Sequence, residues 1–295
     1  MREDAHTQTN PLHGLVLMPV GRPRRVAPDT HISLTPRLRL AFPRLLVDAS
    51  PAGAYAAHVA GIAAVVPEEA RGGSEEGTAV VVRAEERAPS AVRAAMVLLR
   101  ALRRPPPQGD AALLLEPTEA LVAEALSSAQ VGWRVLWLDA RNLGHPLLPP
   151  AGAVLSRLHR TLLAKGVRGR LRLVLEVASL LPDDLGRLLA LGADAVAAPL
   201  PAAQSLSGQP GPHPQRLGTR RQTKSRDPNT ALELGPAYGA ALVAERERLA
   251  HLLAILGLRR VGDLKAEVLR ARPLSEASSI DTPLLDSLGG EGPSL

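Results

Sequence analysis

The 295-residue chain contains no cysteine, which excludes disulfides, thiolate zinc sites, catalytic thiols and cysteine-ligated iron-sulfur clusters together, and makes the cytoplasm its expected compartment. Aromatic residues are almost as scarce, at one Phe, two Tyr and two Trp. A core must therefore be packed from Leu, Val, Ala and Ile, and the aromatic platforms on which single-stranded nucleic acids stack have no material to be built from. Lysine is nearly missing too. Only Lys165, Lys224 and Lys265 occur among 35 basic residues, and the arginines that supply the rest are dispersed along the chain rather than striped. The net charge of +6 thus reads as composition rather than as a nucleic-acid surface, and nucleic acid is not expected as a partner. No run approaches the roughly 20 apolar residues of a membrane span, and the start, MREDAHTQTN, has charges without an apolar stretch after them.

What is present is a rhythm. Short Val- and Leu-rich runs alternate with longer Ala-, Leu- and Arg-rich segments, as strands alternate with helices in α/β proteins. Strands are predicted over 45–49, 63–66, 79–83, 111–115, 134–139, 171–177 and 194–198, with an additional apolar run at 15–20 that caps the fold. Most are continuously apolar, as expected of a parallel sheet covered on both faces. Helices are predicted over 91–102, 120–129, 153–165 and 185–191, several preceded by Pro, Ser, Thr or Asp start signals. Seven strands plus an N-terminal piece imply a TIM-type (β/α) barrel, complete or incomplete, with a C-terminal helical extension.

The predicted organisation is an N-terminal arm over 1–42, a barrel core over 43–198, a Pro-rich basic loop over 199–236, C-terminal helices over 237–272 and a disordered tail over 273–295. In that last helical part a helix over 237–256 is followed by a short one over 262–271. The loop carries Arg220, Arg221, Lys224 and Arg226, a candidate contact for an anion or an acidic partner and, equally, a solvated basic loop expected to be mobile.

Eight histidines, at 6, 13, 31, 58, 145, 159, 213 and 251, show no helical i, i+4 pair, so no metal site is predicted. His145, in a loop after a predicted strand with Asp139 nearby, makes these two the candidate catalytic residues. Asp48, Asp139 and Glu176 each stand in or just beyond an apolar strand, where a carboxylate is costly unless paired. Arg134, Arg141 and Arg172 are the candidate partners.

Four segments occur in an order that resembles the FMN-binding synthase domain of glutamate synthase. They are HGLVLMPV (13–20) with LLVDASPAGAY (45–55), in which Ser50, Gly53 and Ala54 match; VVPEEARGG (65–73); LALGADAV (189–196) after PDDLGR; and HPQRLGTRRQTKSRDPNTAL (213–232) before LGLRRVGDL (256–264). The resemblance covers both ends and the last third, while 77–129 aligns only as generic β/α units. It implies a barrel that would hold FMN, with the phosphate on glycines at the ends of the last strands.

This chain departs from that pattern where the cofactor would sit. Glu176, Val177, Ala178 and Ser179 stand where the family has paired glycines, and Pro199 and Leu200 where it has Gly-Thr. Only Gly144 is a glycine in the stretch 139–145, no lysine lies between 80 and 130, and the cluster cysteines are absent near His213. The expectation is a shortened, degenerate, non-catalytic relative without FMN or an iron-sulfur cluster, acting as a partner or regulator of another glutamate synthase or nitrogen-metabolism protein. The alternatives are an active FMN-dependent oxidoreductase forming glutamate and, more distantly, a basic nucleic-acid-binding scaffold.

Overall fold

The computed structural model describes residues 12, 15–67, 79–84, 95–100, 110–143, 150–181, 183–200, 228–265 and 268–271. Eight parallel strands close into a barrel in chain order: β4 (Arg44–Val47), β5 (Ala63–Pro67), β6 (Ala79–Ala84), β7 (Met96–Arg100), β8 (Ala111–Leu115), β9 (Val135–Asp139), β10 (Arg172–Glu176) and β11 (Ala195–Ala198). The ring is complete because β11 pairs with β10 on one side and β4 on the other, Val196 opposing Arg44. Strands β8 and β9 are buried at every position, which is why they read as unbroken apolar runs.

Helices α1 (Pro51–Ala60), α2 (Leu121–Gln130), α3 (Ala151–Ala164) and α4 (Asp184–Ala190) pack outside the ring, joined by α5 (Pro228–Ile255), which lies along α1. The start of α1 is set locally: Ser50 Oγ accepts from Gly53 N at 3.0 Å and Pro51 needs no N–H partner in the first turn, while Gly61 ends the helix at φ 68°.

The eighth strand, β7, corrects the helix predicted over 91–102. Its sequence, MVLLR, is too short and too uniformly apolar for periodicity to separate strand from helix. The run at 15–20 is not a barrel strand either. Strand β1 (Leu15–Leu17) pairs antiparallel with β12 (Leu269–Ala271), so the helix predicted over 262–271 is a short turn at Val261–Asp263 followed by a strand. Helix α5 begins at Pro228, inside the predicted loop, and runs through Pro236. The basic cluster Arg220, Arg221, Lys224 and Arg226, the residue His145 and the tail 273–295 lie outside the described residues.

At the N-terminal end of the barrel a hairpin, β2 (Ile32–Ser33) and β3 (Arg39–Leu40), buries Leu38, Leu40 and Phe42 completely. Arg37 in its turn meets Asp110, just before β8, at 3.0 Å. Since β4 and β8 are first and fifth in a ring of eight, the hairpin crosses the whole base of the barrel.

The same end carries an arginine network. Arg168 donates to Asp194 Oδ2 (2.8 Å), the Gly192 carbonyl (2.9 Å), the Leu171 carbonyl (2.7 Å) and His159 Nδ1 (2.9 Å), and Arg172 reaches Asp194 at 3.2 Å. Burial, then the charge of Arg168, pushes the His159 imidazole down to about 4, against a smaller opposing pull from Asp194. A depressed histidine is neutral when folded, whereas the unfolded chain binds a proton from about pH 6.5 downward, so stability is expected to fall between pH 6.5 and 4 and to level below. Allowing for the partial exposure of the ring, about 2 kcal/mol should be lost. Urea unfolding at pH 7.0 and 4.5 measures this, and His159→Gln should remove that part of the difference.

Candidate functional site at the barrel mouth

The C-terminal ends of barrel strands face one mouth, where side chains from different strands meet. Glu176, the last residue of β10, pairs in register with Asp139, the last residue of β9, so the two carboxylates lie on one face of the sheet. Alternation puts Trp137 on that face too, one step deeper. The indole Nε1 of Trp137 donates to Glu176 Oε2 at 2.7 Å, and both side chains are wholly buried.

Glu176 Oε2 is also held by Arg83 Nη2 at 2.5 Å, from the end of β6. Strands β6 and β10 are third and seventh in the ring, so this ion pair spans the mouth from one wall to the other. Arg141, two residues beyond β9, closes the set. It chelates Asp139 through Nε (2.8 Å) and Nη2 (2.6 Å) and brings Nε within 3.1 Å of Glu176 Oε1, which has no hydrogen-bond partner among the described residues. Two carboxylates and two guanidiniums therefore neutralise each other. Burial works to raise the Asp139 carboxyl, but the hydrogen bonds and charge of Arg141, with Arg83 beyond, outweigh it and hold Asp139 below the usual carboxylate range. The same contacts raise Arg141. Asp139 is thus an anion committed to an arginine, an acceptor with no proton to give.

A third carboxylate, Asp48, follows β4. Burial raises it, opposed by hydrogen bonding from Ser50, whose backbone N donates to Oδ1 at 2.8 Å. Its side chain lies against Gly53, where a Cβ would stand 2.5 Å from the Asp48 Cγ, which gives that glycine its physical reason. Burial, and then the charge of Asp48, raises the Tyr238 hydroxyl on α5.

Of the expected site residues, the mouth brings together Asp139 and Glu176. Among the expected arginines, Arg141 pairs with both, Arg172 goes instead to Asp194, and Arg134 contributes its carbonyl to Arg172 N. Sequence reasoning missed Arg83 and Trp137. An arginine inside a run of valines, AVVVRA, was the available signal for the first.

The turns at the last two strand ends fit a flavin phosphate poorly. Val177 N is committed to the Ala197 carbonyl at 2.9 Å, Pro199 has no N–H, and its carbonyl accepts from Arg44 Nη2 at 3.1 Å. No glycine stands at 177–183 or 199–200, so Val177, Ala178, Pro199 and Leu200 leave no bare backbone for close approach.

No family model matches the sequence, and no curated protein matches it. By structure the chain is similar to a flavocytochrome b2 mutant with pyruvate bound (TM-score 0.62, 11% identity, covering 98% of this chain and 84% of that one). It is also similar to a mandelate oxidase mutant carrying a monooxide FMN adduct (TM-score 0.59, 14% identity, 88% of each chain) and to mandelate oxidase with (S)-2-phenylpropionate (TM-score 0.59, 15% identity, 90% and 88%). At these identities the likeness is one of fold, and the fold is the TIM-type barrel. Among the described residues no helix is long and apolar enough to cross a membrane, and no three His, Asp or Glu side chains gather as a metal site.

Proposed function

We propose that this chain is a barrel protein without flavin chemistry, glutamate-synthase-like in sequence, that acts as a partner or regulator of a nitrogen-metabolism enzyme. The observation that carries this reading is the ion pair of Arg83 with Glu176 across the mouth. Two of the three carboxylates at the strand ends are spent on arginines, Asp139 on Arg141 and Glu176 on Arg83 with Trp137, and the third, Asp48, accepts from Ser50 N. A site that must bind a planar cofactor and move protons keeps such groups open to the ligand.

A second reading, an FMN-dependent oxidoreductase, is favoured by the fold neighbours, which include FMN-carrying mandelate oxidase. The two readings separate on one preparation. Purified protein is expected to show no flavin absorbance, and titration with FMN should leave the flavin fluorescence unquenched through 100-fold excess of protein over micromolar flavin. Charge-assisted contacts to a phosphate are worth roughly 1.5 to 3 kcal/mol each, so losing several removes affinity by orders of magnitude. A yellow protein, or micromolar FMN binding that is lost when Ala178 or Leu200 is replaced by a bulky acidic residue, restores the oxidoreductase.

A further inference from the structure

Residues 18–27 form an arm, exposed at every position, that the backbone ties to the far end of α5. Val20 N donates to the Leu256 carbonyl (3.2 Å), Arg24 N to the Ala254 carbonyl (3.0 Å) and Asp29 N to the Arg259 carbonyl (2.9 Å), while Asp29 bridges to Arg260. Gly21 and Gly257 allow the close approach. At Gly257, with φ 79°, a Cβ would lie 2.9 Å from the Gly21 carbonyl carbon. Five arginines far apart in sequence, Arg22, Arg24, Arg25, Arg259 and Arg260, are thereby gathered on one surface.

Among the described residues, the carboxylates next to these arginines are engaged locally: Asp29 with His31 at 2.8 Å and Asp263 with Arg260 at 2.9 Å. Among the described residues Arg22, Arg24, Arg25 and Arg259 have no acidic partner. Between them stand aliphatic side chains with unusual exposure, Met18, Val20, Ile255 and, at 72%, Val26. An Arg-rich, aliphatic, nearly aromatic-free face suits an acidic polypeptide with aliphatic side chains better than it suits a base-stacking nucleic acid.

The chain itself contains such a segment. Residues 273–295, outside the described residues, hold Glu276, Asp281, Asp286 and Glu291 with no Lys, Arg or His, together with Leu274, Ile280, Leu284, Leu285 and Leu288. The chain leaves β12 at Ala271, which is paired with Leu15, three residues from Met18. Twenty-odd residues reach up to about 75 Å when extended, ample to turn back over the arm.

We propose that residues 273–295 of this chain dock on the face formed by residues 18–26 and 255–260, acidic side chains on the four free arginines and leucines on Val20, Val26 and Ile255. The surface is then an occupied one, which an external acidic segment must win by displacing the tail.

The absence of native cysteine makes the test direct. Val26→Cys with Leu285→Cys should oxidise to an intramolecular disulfide, seen as a faster monomer band on a non-reducing gel. Val131→Cys with Leu285→Cys, placed on an exposed position after α2, should oxidise at least tenfold more slowly. Adding Arg24→Glu and Arg25→Glu, or 0.5 M salt, should slow the first pair by about tenfold, because exposed charges more than a few ångströms apart are screened at that ionic strength. Equal rates for the two pairs, or a rate indifferent to charge reversal and salt, would overturn the proposal. A disulfide-linked dimer in place of the fast monomer would overturn it too, in favour of a second copy.

Discussion

Replacing Glu245 by alanine is expected to cost about 3 to 5 kcal/mol of stability and to lower the melting temperature by on the order of 10 °C. Arg44, the first residue of β4, is 1% exposed and lies between the barrel wall and α5. Its guanidinium donates to the Leu45 carbonyl (2.8 Å) and the Pro199 carbonyl (3.1 Å), and its Nε faces Glu245 Oε1 at 3.6 Å, too far for a hydrogen bond. Burial depresses the arginine and raises the glutamate, each opposed by the attraction of the other. Removing one partner therefore strands a buried charge, whereas removing both with shape retained does not. Arg44→Met with Glu245→Leu should recover to within about 1 kcal/mol of the parent or surpass it. Chemical denaturation of the three variants checks the pair, and a double variant as unstable as Glu245→Ala would sink the account.

Gly192→Ala should cost about 3 kcal/mol. Gly192 has φ 117°, a conformation that side-chain-bearing residues rarely adopt, and a Cβ there would overlap the Cβ and Cγ of His159. The ring cannot swing aside freely because it accepts from Arg168 Nε. Both costs add. His159→Gly takes away the overlapping Cβ as well as the ring but leaves the backbone strain, so in a His159→Gly background Gly192→Ala should cost roughly half as much. Urea midpoints give the answer, and a Gly192→Ala protein as stable as the parent would refute the argument.

The barrel was readable because parallel strands buried on both faces must be written as apolar runs, and AALLL or VLWLD has no other easy use. β7 escaped because MVLLR sits in an Ala-rich stretch with helix-like length on either side, and nothing local distinguishes the two. β12 escaped because its strand character comes from pairing with Leu15–Leu17, more than 250 residues away. At the mouth, a carboxylate ending an apolar strand was signal enough for Asp139 and Glu176, and Arg141 was within reach of Asp139 by sequence alone. Arg83 was not, since its partner is 93 residues further on and on the opposite wall. Trp137 was indistinguishable from any buried aromatic until its indole N–H found Glu176.

The closing seam also bears on how the protein is made. Strand β11 has four residues and must pair on both sides, with β10 already beside it and β4 begun some 150 residues earlier. Until it leaves the ribosome, the nascent chain is an open seven-stranded sheet with two unpaired apolar edges, the form most prone to join a neighbouring chain. Glu245, which neutralises Arg44 at that seam, emerges later still. The newly made barrel therefore carries this seam with Arg44 uncompensated for the time needed to translate roughly 45 residues, and slowing synthesis between Ala198 and Glu245 should increase the share of chains that aggregate.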